Sequence, residues 1–181
     1  MQGVQWMKVQ LAEHDPHWHS EFEKVRSLLL QAWKENILEI QHVGSTSILG
    51  ICAKPILDVG VVLRDLSAMD VAALEQHGYR YMGPRTPTQD RHLFILYVNK
   101  DGSEEVALHH IHCYPPGTED FRLLVGFRDY LNTHPEEAQQ YNFLKADLAQ
   151  KYPHDRFAYS DGKRAFIERI HRILASSSQE E

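Results

Sequence analysis

Cysteine is scarce in this 181-residue sequence: only Cys52 and Cys113 occur, and no CxxC spacing is present. That argues against a disulfide-stapled secreted scaffold and for free thiols in a reducing compartment. No window approaches the ~18 consecutive apolar residues of a membrane span, and no charged region followed by an apolar run of secretory length opens the chain. The expectation is a cytoplasmic protein without a membrane partner. Positive charge is also short, with 19 Lys and Arg against 25 Asp and Glu for a net charge of −6. Binding to extended nucleic acid needs a cationic surface to displace counterions, so any nucleic-acid-like ligand is confined to a local basic cleft. Internal repeats and low-complexity linkers are absent as well.

What remains is the composition of an ordinary globular protein, 43% hydrophobic and 24% charged. The length fits a single domain over 1–181: an α/β core over about 8–118, C-terminal helices over about 119–175, and a frayed polar tail, SSSQEE, over 176–181. Histidine is abundant, with 12 residues, so the net charge becomes less negative as pH falls through roughly 6.5.

Along the chain, DPHWHSEFEKVRSLLLQAW reads as an amphipathic helix with Asp15 as cap and Pro16 at its first position. Trp18, Phe22, Val25, Leu29 and Trp33 form its core stripe. ILEIQHV (37–43) alternates like a strand and stops at Gly44, whereas ILDVGVVL (56–63) is a near-continuous apolar run, the pattern of a strand covered on both faces. Ser67 and Asp70 open a short helix through Gln76, closed by Gly78. RHLFILYV and EEVALHHIHCY flank Asp101-Gly102, a hairpin signal. Three helices follow: EDFRLLVGFRDYLNTH, a second starting near Pro135, and a last from about Ser160 to Leu174. Strands first and helices after predict an α+β fold: a small mixed sheet flanked by helices, with a C-terminal helical layer.

The chemistry concentrates in HVGSTSILGICAKPILDVGVV, residues 42–62. A strand ending in Gly44-Ser45 permits close approach of a ligand and offers a hydroxyl with exposed backbone N–H groups, a general means of cradling phosphate. The bland alternative is a plain strand-to-helix connection. Twelve residues separate Ser45 from Asp58, an acid inside an apolar strand that is costly unless paired or at the edge of the core.

A Gly-Ser turn followed at this distance by an acidic strand resembles the nucleotidyltransferase superfamily, which includes polymerase beta and the aminoglycoside nucleotidyltransferases. The resemblance implies that Gly44-Ser45 binds phosphate and that Asp58 is the first of two metal-binding acids separated by one residue. The second position here is Gly60. A narrower resemblance covers roughly residues 8–175 and is carried by LAEHDPHW, HVGSTSILGICAKPILDV, HHIHCY and FRDYLNTHPEEAQQYNFLKADLAQKYPHDRFAYSDGK. On these motifs the chain is similar to the GrpB-like proteins, bacterial members of the same superfamily that sometimes occur fused to dephospho-coenzyme A kinase. The match implies a nucleotidyltransferase-like core with Gly44, Ser45, Lys54 and Asp58 at the site. The missing second acid is then a family trait.

His110 and His112 match the family's His-x-His element, and residues two apart on a strand share a face. Beside the Asp58 strand they would stand where the superfamily has its third acid. Asp58, His110 and His112 would then be both catalytic groups and ligands for Zn²⁺, Mn²⁺ or Fe²⁺, since imidazole suits such ions better than Mg²⁺. The alternative is histidines bonded to backbone carbonyls. His109 points to the other face, and His42 is expected to line the cleft. Lys54 and Arg128 would neutralise phosphate charge, and because adjacent residues on a helix do not face each other, no Arg128–Asp129 pair is expected. Tyr141 with Lys145, and Tyr159 with Lys163, share helix faces at four-residue spacing. They either offer rings and ammonium groups to a ligand or dock helices on the sheet.

Three functional readings follow. The first is a divergent nucleotidyl- or phosphoryl-transfer enzyme that binds a nucleotide or other phosphorylated small molecule with a divalent metal (Mg, Mn or Zn). The second, favoured by Gly60, is a non-catalytic module that senses a nucleotide or coenzyme or binds a partner protein. The third is a His-dependent metal hydrolase, weakened by the absence of HExxH.

Overall fold

The computed structural model describes residues 1, 3–5, 7–85, 91–99 and 105–177. In chain order the elements are β1 (Val4–Gln5), α1 (His17–Trp33), β2 (Ile37–Val43), β3 (Leu57–Leu63), α2 (Val71–Glu75), β4 (Tyr79–Pro84), β5 (His92–Asn99), β6 (Glu105–Tyr114), α3 (Glu119–Thr133), α4 (Pro135–Lys151), α5 (Arg156–Gly162) and α6 (Arg164–Ser177). Among the described residues no helix is long and apolar enough to cross a membrane.

Local signals in the sequence account for most of these boundaries. The Asp15 carboxylate accepts a hydrogen bond from the His17 N–H at 2.9 Å, fastening the start of α1 behind a helical Pro16. Asp70 caps α2 by accepting from Ala73 N–H at 3.0 Å, and Gly78, at φ +83°, turns the chain back. Ser67 does not open that helix. It lies in a separate 3₁₀ turn whose N-terminus is capped by Asp65.

The sheet runs β2-β3-β6-β5-β4, with β1 added to β6. All pairings are antiparallel except β3 with β6, which sets Asp58 directly beside His110 and Gly60 beside His112. A parallel pair needs a long crossover, and here it consists of α2, β4 and β5. The sheet is mixed and covered by helices on both faces, as the strands-then-helices order predicts. One face packs Leu57, Val59, Val61 and Leu63 against Phe22, Val25, Leu29 and Trp33 of α1. The other presents Asp58, Gly60 and Val62 toward the C-terminal helices, where Val62 meets Tyr114 and Phe121.

Two features depart from expectation. β4, at the far edge, went unmarked because it is short and holds Gly83 and Pro84, yet its Tyr-Arg-Tyr alternation buries Tyr79 and exposes Arg80. The last helix is two helices. Asp155 caps α5 by accepting from Phe157 and Ala158 N–H groups, and Gly162 lies so close to Leu148 that a Cβ there would fall 2.4 Å from its Cδ2. The chain breaks at Lys163 before α6 resumes. Helix α6 also takes in Ser176 and Ser177, the first residues expected to fray, while the Asp101-Gly102 turn and the rest of the tail lie outside the described residues.

His109 faces α1, as its alternation with His110 requires. Its Nδ1 pairs with the Tyr79 hydroxyl at 2.8 Å, and its Nε2 lies 3.4 Å from Glu21 of α1. The imidazole is buried, so losing the phenol strands a ring nitrogen. Tyr79→Phe is therefore expected to lower stability by about 1–3 kcal/mol in urea unfolding, with the far-UV spectrum of the native state unchanged.

Candidate functional site

The site begins at Gly44. Its φ of +71° suits glycine, and a Cβ there would lie 2.5 Å from Oδ2 of Asp58. The carboxylate thus rests against the turn. Ser45–Ser47 form a 3₁₀ turn in which the Ser47 hydroxyl bonds to the Gly44 carbonyl at 2.6 Å.

The loop that follows is held by side chains of the helical layer. Asn132 of α3 accepts from Leu49 N–H at 2.9 Å and donates to the Ser47 carbonyl at 3.1 Å. Asn142 of α4 accepts from Cys52 N–H at 2.8 Å, and the Lys145 ammonium donates to the Cys52 carbonyl. Backbone groups left unpaired by any sheet are satisfied in this way.

Asp58 Oδ1 meets both histidines of β6, His110 Nδ1 at 3.2 Å and His112 Nε2 at 3.3 Å. Burial alone would raise the Asp58 pKa, but the hydrogen bonds and charges of the two imidazoles outweigh it and hold the carboxyl well below the usual range. His112 is pushed down by burial, with Asp58 pulling the other way. One donor atom from each of the three residues lies within 4.8 Å of the others. Two ligands bonded to a tetrahedral ion at ~2.0–2.1 Å stand about 3.3 Å apart, the spacing of Asp58 Oδ1 from each histidine nitrogen, so these residues could hold a small divalent cation. The His112 Nδ1 has no hydrogen-bond partner among the described residues, so that ring is oriented by its Nε2 contact with Asp58 and by packing.

Above this cluster lies a cleft of about 300 Å³, lined by Gly44, Ser45, Thr46, Lys54, Asp58 and His110 from the sheet side and by residues of α3 to α6 above. Lys163 and Lys54 both lie over the Tyr159 ring, at 4.6 and 5.5 Å from its centroid. Burial, reinforced by Lys54, pushes Lys163 down to about 8; burial also lowers Lys54, although Asp58 pulls it up. Lys145 is fully buried below the cleft, 4.9 Å from the Tyr141 ring, and burial with Lys163 nearby brings it down to about 7. Tyr141 and Tyr159 are themselves buried, so they dock helices and line the cleft at once.

Not every residue singled out from the sequence reaches the cleft. His42 lies on the α1 face, stacked on Phe22 at 5.2 Å and bonded to the Thr46 hydroxyl at 3.0 Å. Arg128 ties α3 to β2, donating to Gln41 Oε1 at 2.7 Å and to the His42 carbonyl at 2.8 Å. It also pairs with Asp129 through Nε at 2.7 Å, against expectation. The rule that neighbours diverge applies to Cβ directions, whereas a guanidinium bent back toward β2 carries its Nε within reach of the next carboxylate. Sequence reasoning missed Thr46, Arg156, Leu124, Phe127, Ile167 and His171 of the lining; Leu124 with Phe127 and Ile167 with His171 share faces of α3 and α6, but neither spacing tells that the two helices meet over the site.

Gly60 explains the absence of a second acid physically. A Cβ at this position would stand 2.9 Å from Cε2 of Phe121 in α3, so the place of that carboxylate is filled by a ring.

A family model described as "GrpB protein" matches residues 8–172. The chain belongs to the GrpB family. It is 34% identical to the glutamate-rich protein GrpB of Alkalihalophilus pseudofirmus, over 94% of this chain and 98% of that one. A UPF0157 protein of Pseudomonas aeruginosa is 35% identical, over 94% of this chain and 69% of its own length. The crystal structure of the conserved protein GrpB from Enterococcus faecalis superposes with a TM-score of 0.81 at 32% identity, covering 94% of this chain and 99% of that chain. A structure of the Cid1 poly(U) polymerase matches with a TM-score of 0.50 at 11% identity, over 79% of this chain and 44% of that one. At that identity the likeness concerns the fold alone, which is nucleotidyltransferase-like.

Two predictions follow from the GrpB-family site. Gly60→Asp should lower stability by about 2 kcal/mol or more, through overpacking and a buried carboxylate. Combined with Phe121→Ala, the loss in urea unfolding should be smaller than the sum of the two single losses. The second concerns pH. Burial holds His42 and His109 down at about 4, against the opposing pull of Asp58 and Glu21 respectively. Unfolded, both titrate near 6.5, so between pH ~6.5 and ~4 the unfolded chain binds more protons and stability falls as pH falls. Urea midpoints across that range should show the decline, and His42→Phe should flatten it.

Proposed function

We propose that this GrpB-family chain binds a nucleotide or a closely related phosphorylated small molecule in the cleft, together with one divalent cation held by Asp58, His110 and His112. The observation that carries this reading is the charge balance. Lys54 and Lys163 both stand in the cleft, and Asp58 is the acid that offsets these two among the described groups acting on them, while Lys145 beneath them is held on the Cys52 carbonyl. Buried ammonium groups without carboxylate partners are costly, and an anionic ligand relieves that cost. The Gly44-Ser45 turn supplies a backbone approach for phosphate at the same place. The Cid1 structure is described as bound to MgATP, which supports a nucleotide as the ligand class.

A cation at Asp58, His110 and His112 would supply Lewis-acid stabilisation of a phosphoryl oxygen. The histidine-rich set suits Mn²⁺ or Zn²⁺ better than Mg²⁺. With Phe121 over Gly60, the two-metal clamp that spans attacking and leaving oxygens has no second carboxylate in this strand. That same contact favours the second reading, a binding module that senses its nucleotide without turning it over.

Calorimetry with nucleotides, in the presence of Mn²⁺, Zn²⁺ or Mg²⁺ in turn, tests the proposal. Binding is expected with Mn²⁺ or Zn²⁺ and should weaken about tenfold or more in Asp58→Asn with the fold intact. Absence of binding with all three ions overturns it. Turnover abolished by Asp58→Asn would separate an enzyme from the sensing module.

A further inference from the structure

The two ends of the cleft differ in chemistry. At one end stand Lys54, Arg156 and His110, which also border a small adjoining chamber of about 20 Å³ beside β1. At the other, where α3 packs on α6, the lining is Leu124, Phe127 and Ile167, and His171 is the polar side chain among them. This apolar end is closely packed. Phe127 is braced edge-on by Tyr141 at 5.3 Å and by Phe166 at 6.5 Å, and the Leu174 side chain lies where a Cβ on Gly126 would be 3.0 Å from it. His171 meets the Phe127 ring at 6.2 Å and 85°. Its ring nitrogens make no hydrogen bond to any described residue.

We propose that this α3–α6 end is a recognition pocket for the heterocyclic base of a nucleotide, with His171 as the residue that reads the base's hydrogen-bonding edge. The inference rests on the phosphate-binding reading of the cationic end and narrows it from phosphorylated molecules in general to nucleotides. A planar base matches apolar walls on its faces and needs one polar partner at its edge. Burial lowers the His171 pKa, with Asp120, Glu119 and Glu168 pulling the other way, which favours a neutral imidazole carrying one donor and one acceptor. A sugar phosphate would leave both the apolar walls and that donor-acceptor pair unused.

Calorimetry with Mn²⁺ and either ribose 5-phosphate, AMP, GMP, CMP or UMP tests the inference. At least one nucleotide should bind about tenfold tighter than ribose 5-phosphate. His171→Leu should bring the two within about threefold by weakening the nucleotide alone, and His171→Asn, which keeps a donor and an acceptor, should reorder the bases. Equal affinity for ribose 5-phosphate and every nucleotide in the wild type overturns the base pocket while leaving the phosphate site standing, and so does an equal effect of His171→Leu on all five ligands. Binding of none of the five, with Zn²⁺ and Mg²⁺ supplied in turn as well as Mn²⁺, removes the phosphate-binding reading as well. If His171→Leu fails to fold, the wild-type comparison and His171→Asn still decide.

Discussion

A carboxylate standing in an inner strand of a small sheet has to be answered, and the parallel pairing of β3 with β6 is the answer. It brings His110 and His112 onto one oxygen of Asp58, while the antiparallel partner β2 delivers Gly44 against the other. Each feature constrains the rest. Gly44 lacks a side chain because the carboxylate occupies that volume, and the turn it begins is the one that faces the cleft. The long crossover through α2, β4 and β5 exists because a parallel neighbour can be reached in no shorter way. The cost of one partly buried acid is thereby spread over three strands.

Around that centre the helical layer sets the sign of the electrostatics. Ammonium groups arrive on Tyr141 and Tyr159 by the same four-residue step, yet they serve different ends. Lys145 turns down to the Cys52 carbonyl and becomes part of the scaffold, whereas Lys163 remains on the cleft side of its ring. The first stiffens the loop and the second presents charge to whatever enters. Both ring faces attract the cation and so offset part of the desolvation that burial imposes on each ammonium.

Much of this was legible in the chain. The bounds of β2 follow from its alternation and from Gly44, and α1 from a cap, a proline and a regular apolar stripe. Asp58, His110 and His112 could be grouped because they required only that two strands be neighbours. Other features depended on distant packing. Where α5 ends, Gly162 lets Leu148 of α4 approach closely, a contact that no local pattern announces, and β4 is an edge strand whose punctuation hides its alternation. Arg128 and His42 carry the residue types of a phosphate site but spend them on joining α3 to β2 and β2 to α1. Conversely, Phe127 and His171 become neighbours only when α3 lies on α6. Side chains that meet through one pairing of strands can be anticipated; those that meet through the angle of two helices cannot.

The three side chains Asn132, Asn142 and Lys145, which suspend the loop after Ser45 from α3 and α4, bear on inheritance as well as on shape. The sheet and the helical half look like separable modules, but the loop belongs structurally to both. A recombination event that exchanged the helices would also exchange the scaffold on which the turn after Gly44 hangs. The Leu49 and Cys52 N–H groups and the Ser47 and Cys52 carbonyls would then lose their partners, so the sheet half depends on the helical half for the shape of its own loop.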